Sequence, residues 1–240
     1  MIDFSKLGFI FSDTSRSRAY LQILISKNIF PKVYVLIESN DPQLIGKPKH
    51  KSKTFHTPLK YGGDFWSFDP DESVITTLNK RKLDYVKLNV QNINDPKVIP
   101  FLKTLNIENL IYSGAGGIIL KKELFDLSIN FIHAHGGLLP NYQGSTCNFY
   151  SIIEENLVAA SVIIMNEKID DGPIIHKIEL KPDFQKDKMD HYFDPLIRAI
   201  AIVKAFECNP TLKETDKRKV VQNSMYFVIH PVLKHIAILK

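Results

Sequence analysis

The chain has 240 residues and a formal net charge of +5 at pH 7, with 44% hydrophobic and 24% charged residues. These values are ordinary for a globular protein with a substantial core, and they argue against disorder as the main state. No apolar run approaches the roughly 20 residues that a membrane span needs, and the first residues lack a signal-peptide pattern, so we expect a cytoplasmic protein without a membrane partner.

Cysteine usage and lysine clusters exclude two further classes. The chain has two cysteines, Cys147 and Cys208, without CxxC spacing, which predicts neither a disulfide framework nor a thiolate zinc site. Lysine dominates residues 47–53 and 213–219. Runs of this kind are usually solvated loops, so we expect no nucleic-acid partner.

Short β-forming runs alternate with helical segments along the first half of the chain. Strands are predicted at residues 7–11, 33–37, 85–88 and 110–112, and helices at 18–25, 72–82 and 95–105. Residues 41–70 are rich in Pro, Lys and Gly and predict a surface excursion. The alternation predicts an α/β, Rossmann-like, mostly parallel sheet with helices on both faces and a small C-terminal extension.

The predicted domains are residues 1–180, which would carry the sheet, and residues 181–240, which would form a C-terminal helix and a β-hairpin. A strand or hairpin is expected within residues 225–234, because Met-Tyr-Phe-Val-Ile is rich in β-forming side chains. This segment has two candidate uses, closing a substrate pocket or forming a homodimer contact.

Three loops hold the chemically informative residues. A glycine-rich loop follows the strand at 110–112, and His133 and His135 end an apolar run at 130–132. Ligands in parallel sheets bind beyond the carboxyl ends of the strands, so both loops lie where a ligand is expected. Asp170 brings a carboxylate from a third loop. Imidazoles and a carboxylate together predict a proton-transfer and oxyanion site for acyl transfer.

These loops resemble the signature of the folate-dependent formyltransferases, Asn-x-His-x-Ser-Leu-Leu-Pro, a Tyr/Phe-x-Gly turn and Asp-x-Gly-Pro-Ile. The matching residues here are His135, Leu138-Leu139-Pro140, Tyr142, Gly144 and Asp170-x-Gly172-Pro173-Ile174. The resemblance covers roughly residues 105–180, with the motifs in the family's order. Within this family, the chain most resembles the sugar N-formyltransferases, in its length and in residues 144–150.

The resemblance implies transfer of a formyl group from 10-formyltetrahydrofolate to a primary amine. His135 would donate a hydrogen bond to the developing oxyanion, and Asp170 would fix the His135 tautomer and help to remove the amine proton. The implied donor-binding residues are Ser113, Gly114, Ala115, Gly116, Gly117, Ile118, Leu138 and Asp170. The implied acceptor-binding residues are Tyr142, Gln143, Gly144 and Ser145.

Two positions depart from the family pattern. His133 occupies the position of the family's catalytic asparagine, and we expect it to share the site with His135, two residues along the same strand face. The alternative is that His133 has a structural role only, with its ring hydrogen-bonded to backbone groups. Gly137 stands where the family usually has serine, and we expect it to leave extra room around the site.

The acceptor is expected to be a small amine, most naturally a nucleotide-linked amino sugar for surface polysaccharide. A glycinamide-ribonucleotide acceptor is the second choice, because Asp13 in the loop after the first strand would repel a phosphate. Two further alternatives remain open. One is a catalytically altered folate-binding relative, and the other is a metal site built from His133, His135 and Asp170, although we expect no metal.

Overall fold

The structure of the protein, a computed structural model, describes residues 2–38, 57–215 and 225–240. Its strands, in chain order, are β1 (Leu7–Phe11), β2 (Val33–Ile37), β3 (Leu59–Tyr61), β4 (Asp64–Trp66), β5 (Val86–Leu88), β6 (Asn109–Ser113), β7 (Asn130–His135), β8 (Gln143–Gly144), β9 (Val158–Ile164), β10 (Ile174–Leu180) and β11 (Met225–Tyr226).

The helices fall between the strands and near the carboxyl end. They are α1 (Ser15–Ser26), α2 (Val74–Arg81), α3 (Val98–Thr104), α4 (Lys122–Phe125), α5 (Cys147–Glu155), α6 (Asp194–Cys208) and α7 (Pro231–Leu239). Among the described residues, no helix has both the length and the apolar character needed to cross a bilayer.

The described residues form two compact units. The N-terminal unit comprises residues 3–38 and 68–133, and the C-terminal unit comprises Ile2 with residues 57–67, 134–215 and 225–240. This division differs from the expected boundary at residue 180, because residues 134–215 lie in one unit. The assignment of 1–180 and 181–240 as separate domains therefore stays a prediction.

A parallel sheet forms the core of the N-terminal unit, with strand order β7-β6-β1-β2-β5. All of β1 is buried, in agreement with the continuous apolar run that parallel strands require. Helix α1 follows directly, and the Thr14 side chain caps it by accepting a hydrogen bond from the Ser17 amide. The predicted mostly parallel α/β fold is confirmed.

The C-terminal unit is organised around the antiparallel pair β9 and β10. Helix α6 contacts both strands, and its apolar side chains are almost all buried. The last two residues of β7, Ala134 and His135, belong to this unit, where β9 is the neighbour of β7. Two short strand pairs complete it, the antiparallel pair of β3 with β4 and the parallel pair of β8 with β11.

The individual elements agree with the sequence except in two places. Of the strand or hairpin expected at residues 225–234, Met225–Tyr226 is a strand, and the hairpin is wrong because α7 begins at Pro231. Pro231 suits the first turn of a helix, and His230 caps it by accepting from the Val232 amide. Within the surface excursion expected at residues 41–70, β3 and β4 form a hairpin that the sequence did not predict. Residues 41–56 of this excursion lie outside the described range.

The packing of β1 generates a stability prediction at Gly8. A Cβ at this position would lie 2.8 Å from Leu110 Cδ1 and 3.0 Å from Ile107 Cδ1. We expect Gly8→Val to lower the free energy of unfolding by about 1–3 kcal/mol, because overpacking displaces these side chains. Urea denaturation measures the change. Ile119→Ala, at a position 62% exposed, is the control and should stay within about 0.5 kcal/mol of wild type.

Candidate active site

His135 ends β7 and is nearly buried, with 4% of its surface exposed. Its Nδ1 lies 3.3 Å from Asp170 Oδ1, and its Nε2 lies 2.7 Å from the carbonyl oxygen of Tyr142. Both ring nitrogens therefore face oxygen acceptors. A neutral imidazole has one N–H and can donate to only one of them, whereas an imidazolium donates to both.

Asp170 lies in the loop between β9 and β10, and 13% of its side chain is exposed. Its second carboxylate oxygen, Oδ2, accepts a hydrogen bond from the Gly144 amide at 3.0 Å. Its backbone φ is +50°, a left-handed conformation that aspartate tolerates better than most residues. Gln143 Nε2 donates to the Asp170 carbonyl at 3.1 Å, so the backbone is held as well as the side chain.

Gly172 explains why this loop needs a glycine. A Cβ at Gly172 would lie 1.7 Å from the carbonyl oxygen of Ile164, a backbone atom that cannot move aside. The Asp-x-Gly spacing thus lets the chain turn closely against the end of β9, which brings Asp170 to His135.

The turn after β7 is fixed from beneath by Ser161 on β9. The buried Ser161 hydroxyl donates to the Gly137 carbonyl at 2.8 Å and accepts from the Leu139 amide at 2.9 Å. The peptide bond between Leu139 and Pro140 is cis. Leu138 lies in the same turn and is half-buried.

Gly137 does not leave the extra room that the sequence suggested. A Cβ there would lie 2.8 Å from both Cys147 Cβ and His135 Nε2, and 2.9 Å from the Tyr142 carbonyl oxygen. The expectation of an enlarged site is therefore wrong. The His135 ring and its partner carbonyl already occupy the space that a serine side chain would need.

An ion pair on α6 anchors the backbone that carries His135. Arg198 Nη1 donates to the Ala134 carbonyl at 3.2 Å, and Arg198 Nε donates to Asp194 Oδ2 at 2.7 Å. Asn148 extends the network, donating to Asp194 Oδ1 at 3.0 Å and accepting from the Ala159 amide at 2.8 Å. The sequence analysis missed these residues, because an acid and a base four positions apart on a helix usually form a surface pair.

The expected donor-binding loop lies in the N-terminal unit. Ser113 ends β6 and is fully buried, and its carbonyl accepts from the Ser17 hydroxyl at 2.9 Å. Arg16 donates from Nε to Ser113 Oγ at 3.1 Å and from Nη2 to the Gly114 carbonyl at 2.5 Å. Arg16 is a further residue that sequence reasoning missed. The loop continues through Ala115, Gly116, Gly117 and Ile118.

A small cavity beside this loop has a volume of about 10 Å³, which is room for roughly one water molecule. Its lining includes Ser12, Asn92, Tyr112, Gly114, Ala115 and Ile118. Burial raises the pKa of the Tyr112 hydroxyl to about 12, so this phenol stays a neutral donor at physiological pH.

His133 also lies in the N-terminal unit and is half-buried. Its Nδ1 is 3.4 Å from the carbonyl oxygen of Tyr112, and the two rings are 6.5 Å apart between centroids. This contact agrees with the alternative interpretation, a structural histidine hydrogen-bonded to the backbone. A catalytic role for His133 stays a prediction.

The metal alternative finds no geometric support. In residues 2–38, 57–215 and 225–240, no group of three His, Cys, Asp or Glu side chains is placed to hold a metal ion. Of the proposed set, the structure joins His135 to Asp170, and His133 has a backbone carbonyl beside its ring.

The expected acceptor-binding residues form one short segment of the C-terminal unit. The Tyr142 hydroxyl lies 2.8 Å from carboxylate oxygens of both Glu154 and Glu155. Gln143 is buried, Gly144 contacts Asp170, and the Ser145 amide donates to the Tyr226 carbonyl. The partner Tyr226 was not anticipated, because its contact joins segments far apart in sequence.

Cys147 and Cys208 should differ sharply in reactivity. Burial raises the pKa of the Cys147 thiol to about 12, with a further contribution from the Asp170 carboxylate, whereas Cys208 is exposed. At pH 8 the Cys147 thiol is therefore protonated and shielded. We expect iodoacetamide to modify Cys208 in the native protein and to leave Cys147 intact, as read by peptide mass spectrometry. Rapid labelling of Cys147 would show that the site opens to solvent.

Crowding at Gly137 gives a second expectation for this site. We expect Gly137→Ser to lower the free energy of unfolding by about 1–3 kcal/mol, because the new Cβ displaces the His135 ring or the Tyr142 carbonyl. Thermal denaturation followed by circular dichroism measures the change. Equal stability of Gly137→Ser and wild type would mean that the His135 ring has room to move.

Curated relatives of the chain are formyltransferases. The methionyl-tRNA formyltransferase of Buchnera aphidicola is 36% identical over 89 residues, which are 37% of this chain and 28% of that protein. That of Pelagibacter ubique is 25% identical over 169 residues, 68% of this chain and 48% of that protein. The chain thus spans less than half the length of these relatives. No protein-family model matches it.

Solved structures with the same fold have related activities. A sugar N-formyltransferase from Shewanella has a TM-score of 0.54 and 18% identity, covering 98% of this chain and 87% of that one. An N-formyltransferase of Helicobacter canadensis, in complex with folinic acid and dTDP-3-aminofucose, has a TM-score of 0.54 and 16% identity, covering 95% and 71%. Phosphoribosylglycinamide formyltransferase of Anaplasma phagocytophilum has a TM-score of 0.54 and 12% identity, covering 92% and 97%.

At these identities the structural likeness concerns the fold alone, and the sequence matches to the curated relatives cover only part of each protein. The parallel sheet of the N-terminal unit, the loops at the ends of β6 and β7, and the His135–Asp170 pair follow the motifs read from the sequence. In fold, and in sequence over part of its length, the chain is similar to the folate-dependent formyltransferases.

Proposed function

We propose that the protein transfers a formyl group from 10-formyltetrahydrofolate to the primary amine of a small acceptor, a nucleotide-linked amino sugar. The observation that carries this proposal is the buried His135–Asp170 pair, with Nδ1 and Oδ1 3.3 Å apart, in a chain with the formyltransferase fold. Buried acid-base pairs of this kind are typical of sites that move protons.

The reaction needs two catalytic functions from the protein. When the amine attacks the formyl carbon, the formyl oxygen gains negative charge, and the new ammonium must lose a proton before the tetrahedral intermediate collapses. We assign stabilisation of the negatively charged formyl oxygen to His135, whose Nε2 lies 2.7 Å from the Tyr142 carbonyl oxygen. A reacting oxygen would take the place of that carbonyl oxygen.

We assign removal of the ammonium proton to Asp170. Its Oδ1 faces His135 and its Oδ2 accepts from the Gly144 amide, so the carboxylate is oriented by contacts on both oxygens. A carboxylate with 13% of its side chain exposed can accept the amine proton directly or through one water. It also balances the charge of an imidazolium at His135.

The formyl donor is assigned to the loop Ser113–Ile118 of the N-terminal unit, while Leu138 and Asp170 stay predicted donor contacts. Arg16 and Ser17 fix the first residues of this loop, and Gly117 has a φ of +81°, which favours glycine.

The amino-sugar acceptor is favoured over glycinamide ribonucleotide by the turn after β1. Asp13 lies there and forms a bidentate pair with Arg18, at 2.8 and 3.1 Å, so the charge of the Arg18 guanidinium is already neutralised. A phosphate at this turn would face the Asp13 carboxylate. The half-buried ring of Tyr150 offers an aromatic surface on which a base or sugar would stack.

The wider context of the reaction is also part of the proposal. A nucleotide-linked amino sugar points to surface-polysaccharide synthesis in the cytoplasm. Helix α7 exposes an apolar stripe that suits a homodimer contact, formed by Val232, Leu233, Ile236 and Leu239. Size-exclusion chromatography with light scattering measures the oligomeric state.

The first experiment follows tetrahydrofolate release from 10-formyltetrahydrofolate in the presence of amines, led by nucleotide-linked 3-amino and 4-amino sugars. Release that depends on one amino sugar supports the full proposal. Release that depends on glycinamide ribonucleotide supports the second acceptor class. Release without any amine indicates hydrolysis, and saturable folate binding without release indicates a folate-binding relative.

The assigned roles of His135 and Asp170 generate a prediction about catalysis. We expect His135→Asn and Asp170→Asn each to lower kcat/KM for transfer by more than about a hundredfold, because each variant removes an acid-base or oxyanion group. Steady-state kinetics measure the loss. His191→Asn is a matched control at an exposed histidine, and it should retain full activity. A folded His135→Asn or Asp170→Asn protein with near-wild-type transfer would contradict the role assigned to that residue.

A further inference from the structure

One short segment contacts both members of the acid-base pair through its backbone. The Tyr142 carbonyl oxygen lies 2.7 Å from His135 Nε2, and the Gly144 amide donates to Asp170 Oδ2 at 3.0 Å. The residue between them, Gln143, donates to the Asp170 carbonyl. A shift of residues 142–144 would therefore change the hydrogen bonds of His135 and Asp170 together.

The carboxyl-terminal strand β11 holds this segment from its other side. Met225 pairs with Gln143 and Tyr226 with Gly144 in parallel register. The Ser145 amide donates to the Tyr226 carbonyl at 2.8 Å. Gly144 has a φ of +103°, and a Cβ there would lie 2.2 Å from the Tyr226 carbonyl oxygen, so the close approach of the two strands depends on glycine.

The Tyr226 side chain makes a second set of contacts with the same segment. Its ring stacks on the Tyr142 ring, with centroids 5.2 Å apart and 27° between the planes. It also contacts the Tyr150 ring, with centroids 4.6 Å apart. Its hydroxyl lies 3.3 Å from Glu154 Oε2, the same atom that accepts from the Tyr142 hydroxyl. Tyr226 thus touches the backbone of Gly144 and Ser145 and the side chain of Tyr142.

We propose that Tyr226 is a positioning residue for the His135–Asp170 pair, and that it acts through the backbone of residues 142–144. Tyr226 contacts neither His135 nor Asp170 in the described hydrogen bonds, and it fixes the two groups that do. The kinetic consequence rests on the proposed formyl transfer. The effect on the His135 ring does not, because it follows from the hydrogen bond to the Tyr142 carbonyl alone.

The segment itself supplies a matched control. Phe227 follows Tyr226, and its side chain is 78% exposed while its carbonyl accepts from the Tyr150 hydroxyl at 3.2 Å. Phe227→Ala therefore removes a large aromatic side chain from the same strand end and keeps the backbone contact. Tyr226→Ala removes the stacking on Tyr142, and Tyr226→Phe keeps the stacking and loses only the contact with Glu154.

The kinetic experiment compares these three variants in the 240-residue chain. We expect Tyr226→Ala to lower kcat by about 10- to 100-fold with little change in KM for the formyl donor, because small displacements of catalytic groups cost rates of this order. Tyr226→Phe should stay within about threefold of wild type, and Phe227→Ala should be unchanged. Equal kcat values for Tyr226→Ala and Phe227→Ala would overturn the proposal.

The second arm needs no turnover. The ¹⁵N resonances of the His135 ring, identified by their loss in His135→Asn, report on the hydrogen bond at Nε2. We expect Tyr226→Ala to shift the Nε2 signal and Phe227→Ala to leave it in place. An unshifted signal in folded Tyr226→Ala would overturn the proposal. If wild type transfers no formyl group while Tyr226→Ala shifts the signal, the proposed function fails and the positioning role stands.

Discussion

The structure of the site depends on one constraint, the need of a buried imidazole for hydrogen-bond partners. His135 is nearly buried at the end of β7, so its two ring nitrogens must find partners within the protein. Asp170 supplies one partner and the Tyr142 carbonyl the other. The left-handed φ of Asp170 and the turn fixed by Ser161 are the local conditions that bring these partners to the ring.

The sequence predicted the features that depend on local patterns. Apolar runs such as β1 and helix signals such as the Thr14 cap lie within a few residues of each other, so the parallel α/β fold could be predicted. A site combining His135 with Asp170 was also predicted, from residue types and loop positions, and the family resemblance supplied the role of each residue. Nothing in the residues 135 and 170 themselves states that β7 and the β9–β10 loop meet.

Features built from backbone atoms and from distant segments could not be predicted. The Tyr142 carbonyl is present whatever side chain residue 142 carries, so no residue type marks it as a partner of His135. The network of Arg198 on α6 and the strand around Tyr226 depend on tertiary packing. Near the carboxyl end, β-forming residues suggested a hairpin, and the cap at His230 with Pro231 in the first turn started a helix instead.

The contact between His135 and the Tyr142 carbonyl has a consequence for inhibitor discovery. A compound directed at Nε2 competes with an acceptor that belongs to the protein, rather than with a loosely held water, so part of its binding free energy is spent in releasing that carbonyl. Small fragments with a single weak acceptor will give low affinity against this state. Compounds that combine a strong acceptor with a group stabilising the displaced 142–144 segment will bind better, and they will bind slowly because the segment must move first.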